Sequence, residues 1–97
     1  DQARTELEKA VQLNPRHAAA WYNLGLAQNA SGQTEVAIGS LLRGESAEPR
    51  DARIPYARAT ILARLGQGKA AAVAARRALE INPGFTEARQ LLQQLGQ

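Results

Sequence analysis

Pro15, Pro49 and Pro83 fall 34 residues apart, and sliding the chain by that period aligns far more than proline. Ala3, Ala37 and Ala71 coincide, as do Leu7 and Leu41, Gly32 and Gly66, and the small residues Ala10, Gly44 and Ala78. Asn14-Pro15 returns as Asn82-Pro83. Independent columns agreeing at one period mark a repeat, in which each unit buries its apolar stripe only by stacking on its neighbours.

Between these marks the sequence predicts six helices. The first spans about Gln2 to Leu13. The second runs from Ala18 to Ala30 with Trp21 and Leu24 at helical spacing, and stops at Ser31-Gly32. Thr34 is expected to cap a third helix, carrying Val36, Ala37, Ile38, Leu41 and Leu42 on one side and ended by Glu48-Pro49, because the residue before a proline is pushed away from helical geometry. Asp51 offers a cap for a fourth helix to about Leu65, broken at Gly66-Gln67-Gly68. A fifth covers about Lys69 to Ile81 and a sixth Thr86 to Leu95. Gly25 with Ala37, and Ala59 with Ala71, would let paired helices approach closely. Trp21, Leu24, Leu41, Leu62, Leu65, Val73 and Leu79 would supply the bulk. Gly39 and Gly44, inside a helix, should each cost roughly 0.5–1 kcal/mol relative to alanine. Gln90, Gln93 and Gln94 beside Leu91, Leu92 and Leu95 suit a last helix that is wet on its outer side.

The first full unit carries a family resemblance. Trp21-x2-Leu24-Gly25, followed by Ala37, Leu41 and Pro49, resembles the tetratricopeptide motif W-x2-L-G-x2-Y…A-x3-F…P. Gln28 in the tyrosine slot and Leu41 in the phenylalanine slot depart from it. The second unit is looser, with Pro55 in place of tryptophan, while Ala59, Leu62, Ala71, Ala78 and Pro83 keep the pattern. The resemblance implies an all-α chain, a right-handed α-solenoid of antiparallel helix pairs. Residues 1–17 would be the second helix of a preceding repeat, 18–51 and 52–85 full repeats, and 86–97 a capping helix, together one domain. Starting at Asp1 without a methionine, the sequence reads as a piece of a longer protein.

Composition narrows the function classes. There is no Cys and no Met, so neither a disulfide framework nor a thiolate metal site is available. No run approaches the roughly 18 apolar residues of a membrane span. The net charge of +3 is uneven: residues 1–50 hold five Lys/Arg against six Asp/Glu, residues 51–97 seven against three. The excess lacks the dense basic stripe of a nucleic-acid footprint. Arginine outnumbers lysine ten to two, a bias that points to a GC-rich bacterial source, and a cysteine-free chain suits either the bacterial cytoplasm or the periplasm.

Chemistry is hard to assemble from these residues. His17 is the single histidine and has no partner at a useful spacing. Ser31, Ser40 and Ser46 lie in no nucleophile elbow. Glu6 and Glu8 are two apart and point to different sides of a helix. Gly66-Gln67-Gly68-Lys69 fails as a phosphate loop, because Ala63 and Ala70 stand where glycine and Ser/Thr are required. Arg76-Arg77 reads as a solvated pair. The expectation is a chain without cofactor, metal or catalytic residues.

The resemblance further implies that the first helix of each repeat lines a groove receiving a peptide or partner helix. Its residues here would be Tyr22, Asn23 and Leu26, with Ala19 and Asn29, then Arg53, Tyr56, Thr60 and Arg64, with Ala63; Glu87, Gln90 and Gln94 could add to it. Tyrosine offers apolar area with a polar tip, and arginine grips carboxylates at two points. Asn23 and Arg53 match two positions of the carboxylate clamp found in some family members, but Ala57 stands where a further basic residue belongs. The reading is a non-catalytic protein–protein interaction scaffold, with no nucleic acid and no membrane insertion. The alternative is an accessory or oligomerisation domain of a larger bacterial enzyme or multidomain protein. Self-association through an exposed terminal helix, by Leu7, Val11 and Leu13, is a third expectation.

Overall fold

A computed structural model describes residues 2–96. It contains six α-helices and, among the described residues, no strand: α1 (Gln2–Leu13), α2 (Ala18–Ala30), α3 (Thr34–Ala47), α4 (Arg53–Arg64), α5 (Gly68–Ile81) and α6 (Thr86–Gln94). They form two compact units, residues 1–49 and 50–97.

In the first unit α2 packs on both α1 and α3. Val11, Ala20 and Leu24 form a buried cluster flanked by Leu7, Ala10 and Trp21. The α2–α3 turn is set by Gly32, whose φ of 85° is a left-handed conformation that glycine adopts without strain. The Gly32 N–H donates to the Asn29 carbonyl and the Gln33 N–H to that of Gln28, the paired bonds of a Schellman ending. The same motif recurs 34 residues on, at Gly66 (φ 78°), with bonds to Ala63 and Leu62.

The helix starts differ from expectation in detail. Thr34 is the first helical residue of α3 rather than its cap; the cap position is Gln33, which makes no side-chain bond there. At α4 the Asp51 carboxylate accepts the Arg53 N–H at 3.1 Å, although Ala52 stands at the cap position between them. His17 caps α2, its Nδ1 accepting the Ala20 N–H at 3.0 Å, which gives the single histidine a structural task. Asn14 and Asn82 each accept, through the side chain, the backbone N–H two residues ahead, so the repeated Asn-Pro turns close alike.

The buried stripe of α3 is Ala37, Ser40, Leu41 and Gly44, spaced i, i+3, i+4, i+7. Val36 and Leu42 lie about 100° per residue off that stripe and are exposed, contrary to the one-sided placement expected of them. Gly25 faces Leu41: a Cβ there would lie 2.9 Å from two of its carbons. The two motif departures are thereby explained. Leu41 fits against Gly25, and Gln28 is buried with its Oε1 accepting the Ser40 hydroxyl at 2.6 Å, as a buried amide requires.

In the second unit α5 packs against both α4 and α6. Its inner face is alanine throughout: Ala71, Ala72, Ala74, Ala75 and Ala78 are buried. Ala78 meets Ala52 and Ala88, with Tyr56, Leu79, Ile81 and Phe85 around them. Bulk comes from Ile54, Ile61 and Leu62, all buried. Leu65 and Val73, expected to fill the core, are 41% and 58% exposed, because Val73 lies off the α5 stripe and Leu65 sits past the end of α4. Pro55, in the tryptophan slot, occupies the first turn of α4, where an N–H has no intrahelical partner to lose.

Beyond its own stretch of helix backbone, Gly39 has no atom within 4 Å of where a Cβ would stand, so only its backbone freedom counts. Gly39→Ala is expected to stabilise the first unit by about 0.5–1 kcal/mol, read as a higher denaturation midpoint with an unchanged slope.

Candidate functional site

Tyr56, Thr60, Ala63 and Arg64 recur at i, i+4, i+7 and i+8 and therefore share one face of α4. Glu87, Gln90, Leu91 and Gln94 do the same on α6. Because α4 and α6 both rest on α5, their faces border a common concavity of about 390 Å³, lined by these eight side chains. The Tyr56 ring is half-buried and tilted at 43° against Phe85, with centroids 4.9 Å apart. That contact fixes the ring without using the hydroxyl. Leu91 and Ala63 extend the apolar lining.

The polar groups around it are of several kinds. The Thr60 hydroxyl donates to the Ala57 carbonyl at 2.8 Å, leaving its oxygen able to accept. Arg64 and Glu87 bring opposite charges to one hollow without an ion pair or hydrogen bond among the described residues. The side-chain amides of Gln90 and Gln94, one helical turn apart, each offer donors and an acceptor. Such a lining can hold an extended backbone by its amides, a hydrophobic side chain on Tyr56 and Leu91, and a charge at either rim.

Of the residues expected to form a groove, Tyr56, Thr60 and Arg64 are brought together here, with Ala63, Glu87, Gln90 and Gln94. Arg53 is not among them. Its guanidinium turns back on Asp51, with Nη2–Oδ2 at 2.7 Å and Nε–Oδ1 at 3.0 Å. The hydrogen bond from the Arg53 side chain holds the Asp51 carboxyl below its ordinary pKa. Tyr22, Asn23 and Leu26 lie on α2 of the first unit, where Tyr22 is half-buried and Asn23 and Leu26 are exposed. Two contributors escape sequence reasoning. Leu91 reads there as packing, although its i+4 spacing from Glu87 puts it on the lining face. Phe85 lies in a turn, outside any helical periodicity.

Among the described residues no His, Cys, Asp or Glu cluster could hold a metal ion, and no helix is long and apolar enough to cross a membrane.

A family model for the tetratricopeptide repeat matches residues 1–46 and 30–84. The chain belongs to the tetratricopeptide-repeat family. Solved structures agree on the fold of this repeat protein. MamA is 27% identical with a TM-score of 0.91 over 95% of the chain, which spans only 54% of MamA's length. The Yersinia enterocolitica type III secretion chaperone SycD, in complex with a peptide of the translocator YopD, gives a TM-score of 0.91 at 20% identity, covering 96% of this chain and 76% of SycD. PcrH, in complex with the chaperone binding region of PopD, gives 0.82 at 21%, covering 99% and 72%. No curated protein matches the sequence.

Proposed function

We propose that this chain is a non-catalytic protein-interaction module, and that the α4–α6 concavity holds part of an extended peptide or partner helix. The observation that carries the reading is the lining itself: a fixed aromatic ring and a leucine, framed by two glutamine amides and the opposite charges of Arg64 and Glu87. These groups bind; they do not form a nucleophile and base arranged around a reacting atom. The fold supports the same direction, since SycD and PcrH each hold a segment of another protein, though at their level of identity they share only the fold with this chain. Tyr22, Asn23, Leu26 and Arg53 stay in the proposal as flanking contacts, with Arg53 released from Asp51 when a carboxylate arrives.

Selection of peptides from a displayed library on the chain, followed by amide-shift mapping, tests this. Bound peptides are expected to shift Tyr56, Thr60, Arg64, Gln90 and Gln94. Tyr56→Ala and Leu91→Ala should each weaken them about tenfold or more, as loss of a central anchor does, with helicity unchanged. Peptides whose shifts map elsewhere and whose affinity ignores both variants would exclude this site.

A further inference from the structure

A second hollow lies in the first unit, where the α1–α2 turn meets the end of α3. It has a volume of about 350 Å³ and is lined by Pro15, Arg16, Arg43, Ser46 and Ala47. The position of Arg43 is built. Its guanidinium lies over the Trp21 ring, 5.3 Å from the centroid, and Trp21 is itself tied down by its Nε1–H donating to the Pro15 carbonyl at 2.7 Å. Stacking occupies the flat face of a guanidinium and leaves its edge N–H groups free to donate in plane. Arg16 stands in the turn, which is held by its own N–H donating to Asn14 Oδ1 at 3.2 Å and by the His17 N–H donating to the Asn14 carbonyl at 3.0 Å.

The repeat supplies an internal control. Moving 34 residues along carries Arg43 to Arg77 and Ser46 to Glu80. In the second unit Arg77 Nη1 pairs with Glu80 Oε1 at 3.3 Å. In the first unit the carboxylate is replaced by a hydroxyl, and neither Arg43 nor Arg16 has a carboxylate partner among the described residues. Glu45 and Glu48, the nearest acids in sequence, do not line the hollow. Arg16, Arg43 and Ser46 thus border a space with no acidic residue in its lining among the described residues.

We propose that this hollow is an oxyanion subsite that takes one acidic side chain of a partner peptide, either a carboxylate or a phosphate monoester. Both groups accept the in-plane N–H forks of arginine, and the Ser46 hydroxyl can donate to a further oxygen. A compact single anion fits better than a charge array. Residues 1–49 carry four Lys/Arg against six Asp/Glu, so the unit as a whole repels a nucleic acid or an anionic bilayer while two arginines attract locally.

Trp21 is the single tryptophan, so its indole fluorescence and its Nε1–H resonance report on the site. Three acetylated peptides of one sequence, carrying phosphoserine, aspartate or serine at the centre, are titrated into the full chain. Saturable shifts of the indole with the phosphoserine peptide alone identify a phosphate monoester, and shifts with both acidic peptides identify a general oxyanion site. Arg16→Gln is expected to weaken binding about tenfold without touching the tryptophan. Ser46→Glu should abolish it, by giving Arg43 the internal partner that Arg77 already has. The idea fails if neither acidic peptide shifts the indole, if the serine peptide shifts it equally, if Ser46→Glu binds as well as the parent, or if a single-stranded oligonucleotide binds more tightly than the peptides. Helicity measured on each variant separates loss of the site from loss of the fold.

Discussion

Gly25→Ala is expected to destabilise the first unit by about 1–2 kcal/mol, although alanine is the better helix former by about 1 kcal/mol. The added methyl would lie 2.9 Å from Cγ and Cδ2 of Leu41 and 3.3 Å from the Ala37 carbonyl oxygen. Leu41 is fully buried, so its branch point cannot swing aside, and the carbonyl belongs to the α3 backbone. Overpacking of this kind costs about 1–3 kcal/mol, which at its upper end exceeds the gain in propensity. Leu41→Ala alone should cost about 2–5 kcal/mol, from lost burial plus the cavity left behind. The pair gives a sharper test. With Leu41 already truncated, Gly25→Ala should become stabilising by about 1 kcal/mol, because its methyl enters the vacated space and the propensity gain is no longer opposed. Urea denaturation of the four proteins, followed by helicity, measures the cycle. Additive effects would show that Gly25 and Leu41 are not coupled.

Ala78→Leu is expected to have the largest effect in the second unit, at or above the upper end of the about 1–3 kcal/mol typical of overpacking. Ala78 is fully buried where α5 meets Ala52 at the entry to α4 and Ala88 on α6. Alanine at this junction lets α4 and α6 both sit close on α5. Three extra carbons must push one of them away, and the two faces bordering the concavity move with it. Besides a lower midpoint, the variant should lose any peptide that binds at Tyr56 and Leu91, and the Tyr56–Phe85 contact should loosen in ring-proton spectra. Val73→Leu, on the exposed side of the same helix, is the control and should change stability by less than about 0.5 kcal/mol. A tolerated Ala78→Leu with an unaltered concavity would show that this junction does not hold α4 and α6 in place.

Much of this was legible in the sequence for definite reasons. The 34-residue period placed six helices within one or two residues, since glycine at Gly32 and Gly66 and proline at Pro15, Pro49 and Pro83 act locally on the backbone. The family resemblance put Arg53, Tyr56, Thr60, Ala63 and Arg64 on one lining face, and the structure sets all of these but Arg53 beside the α6 residues. Side-chain contacts between distant positions were not legible. Nothing in the spacing says that Phe85 meets Tyr56, that Gln28 finds Ser40, or that Arg43 lies over Trp21.

The sequence by itself determined the repeat, the helices and their ends, because those follow from backbone sterics and from a hydrophobic period that each segment carries alone. Only the tertiary structure decided which apolar residues are core. Val36, Leu65 and Val73 are as hydrophobic as their neighbours and stay exposed, while five alanines of α5 are buried. The physical reason is that burial depends on how closely another helix approaches, and that distance is set by where a small residue faces its partner, at Gly25 against Leu41 and at Ala78 between Ala52 and Ala88.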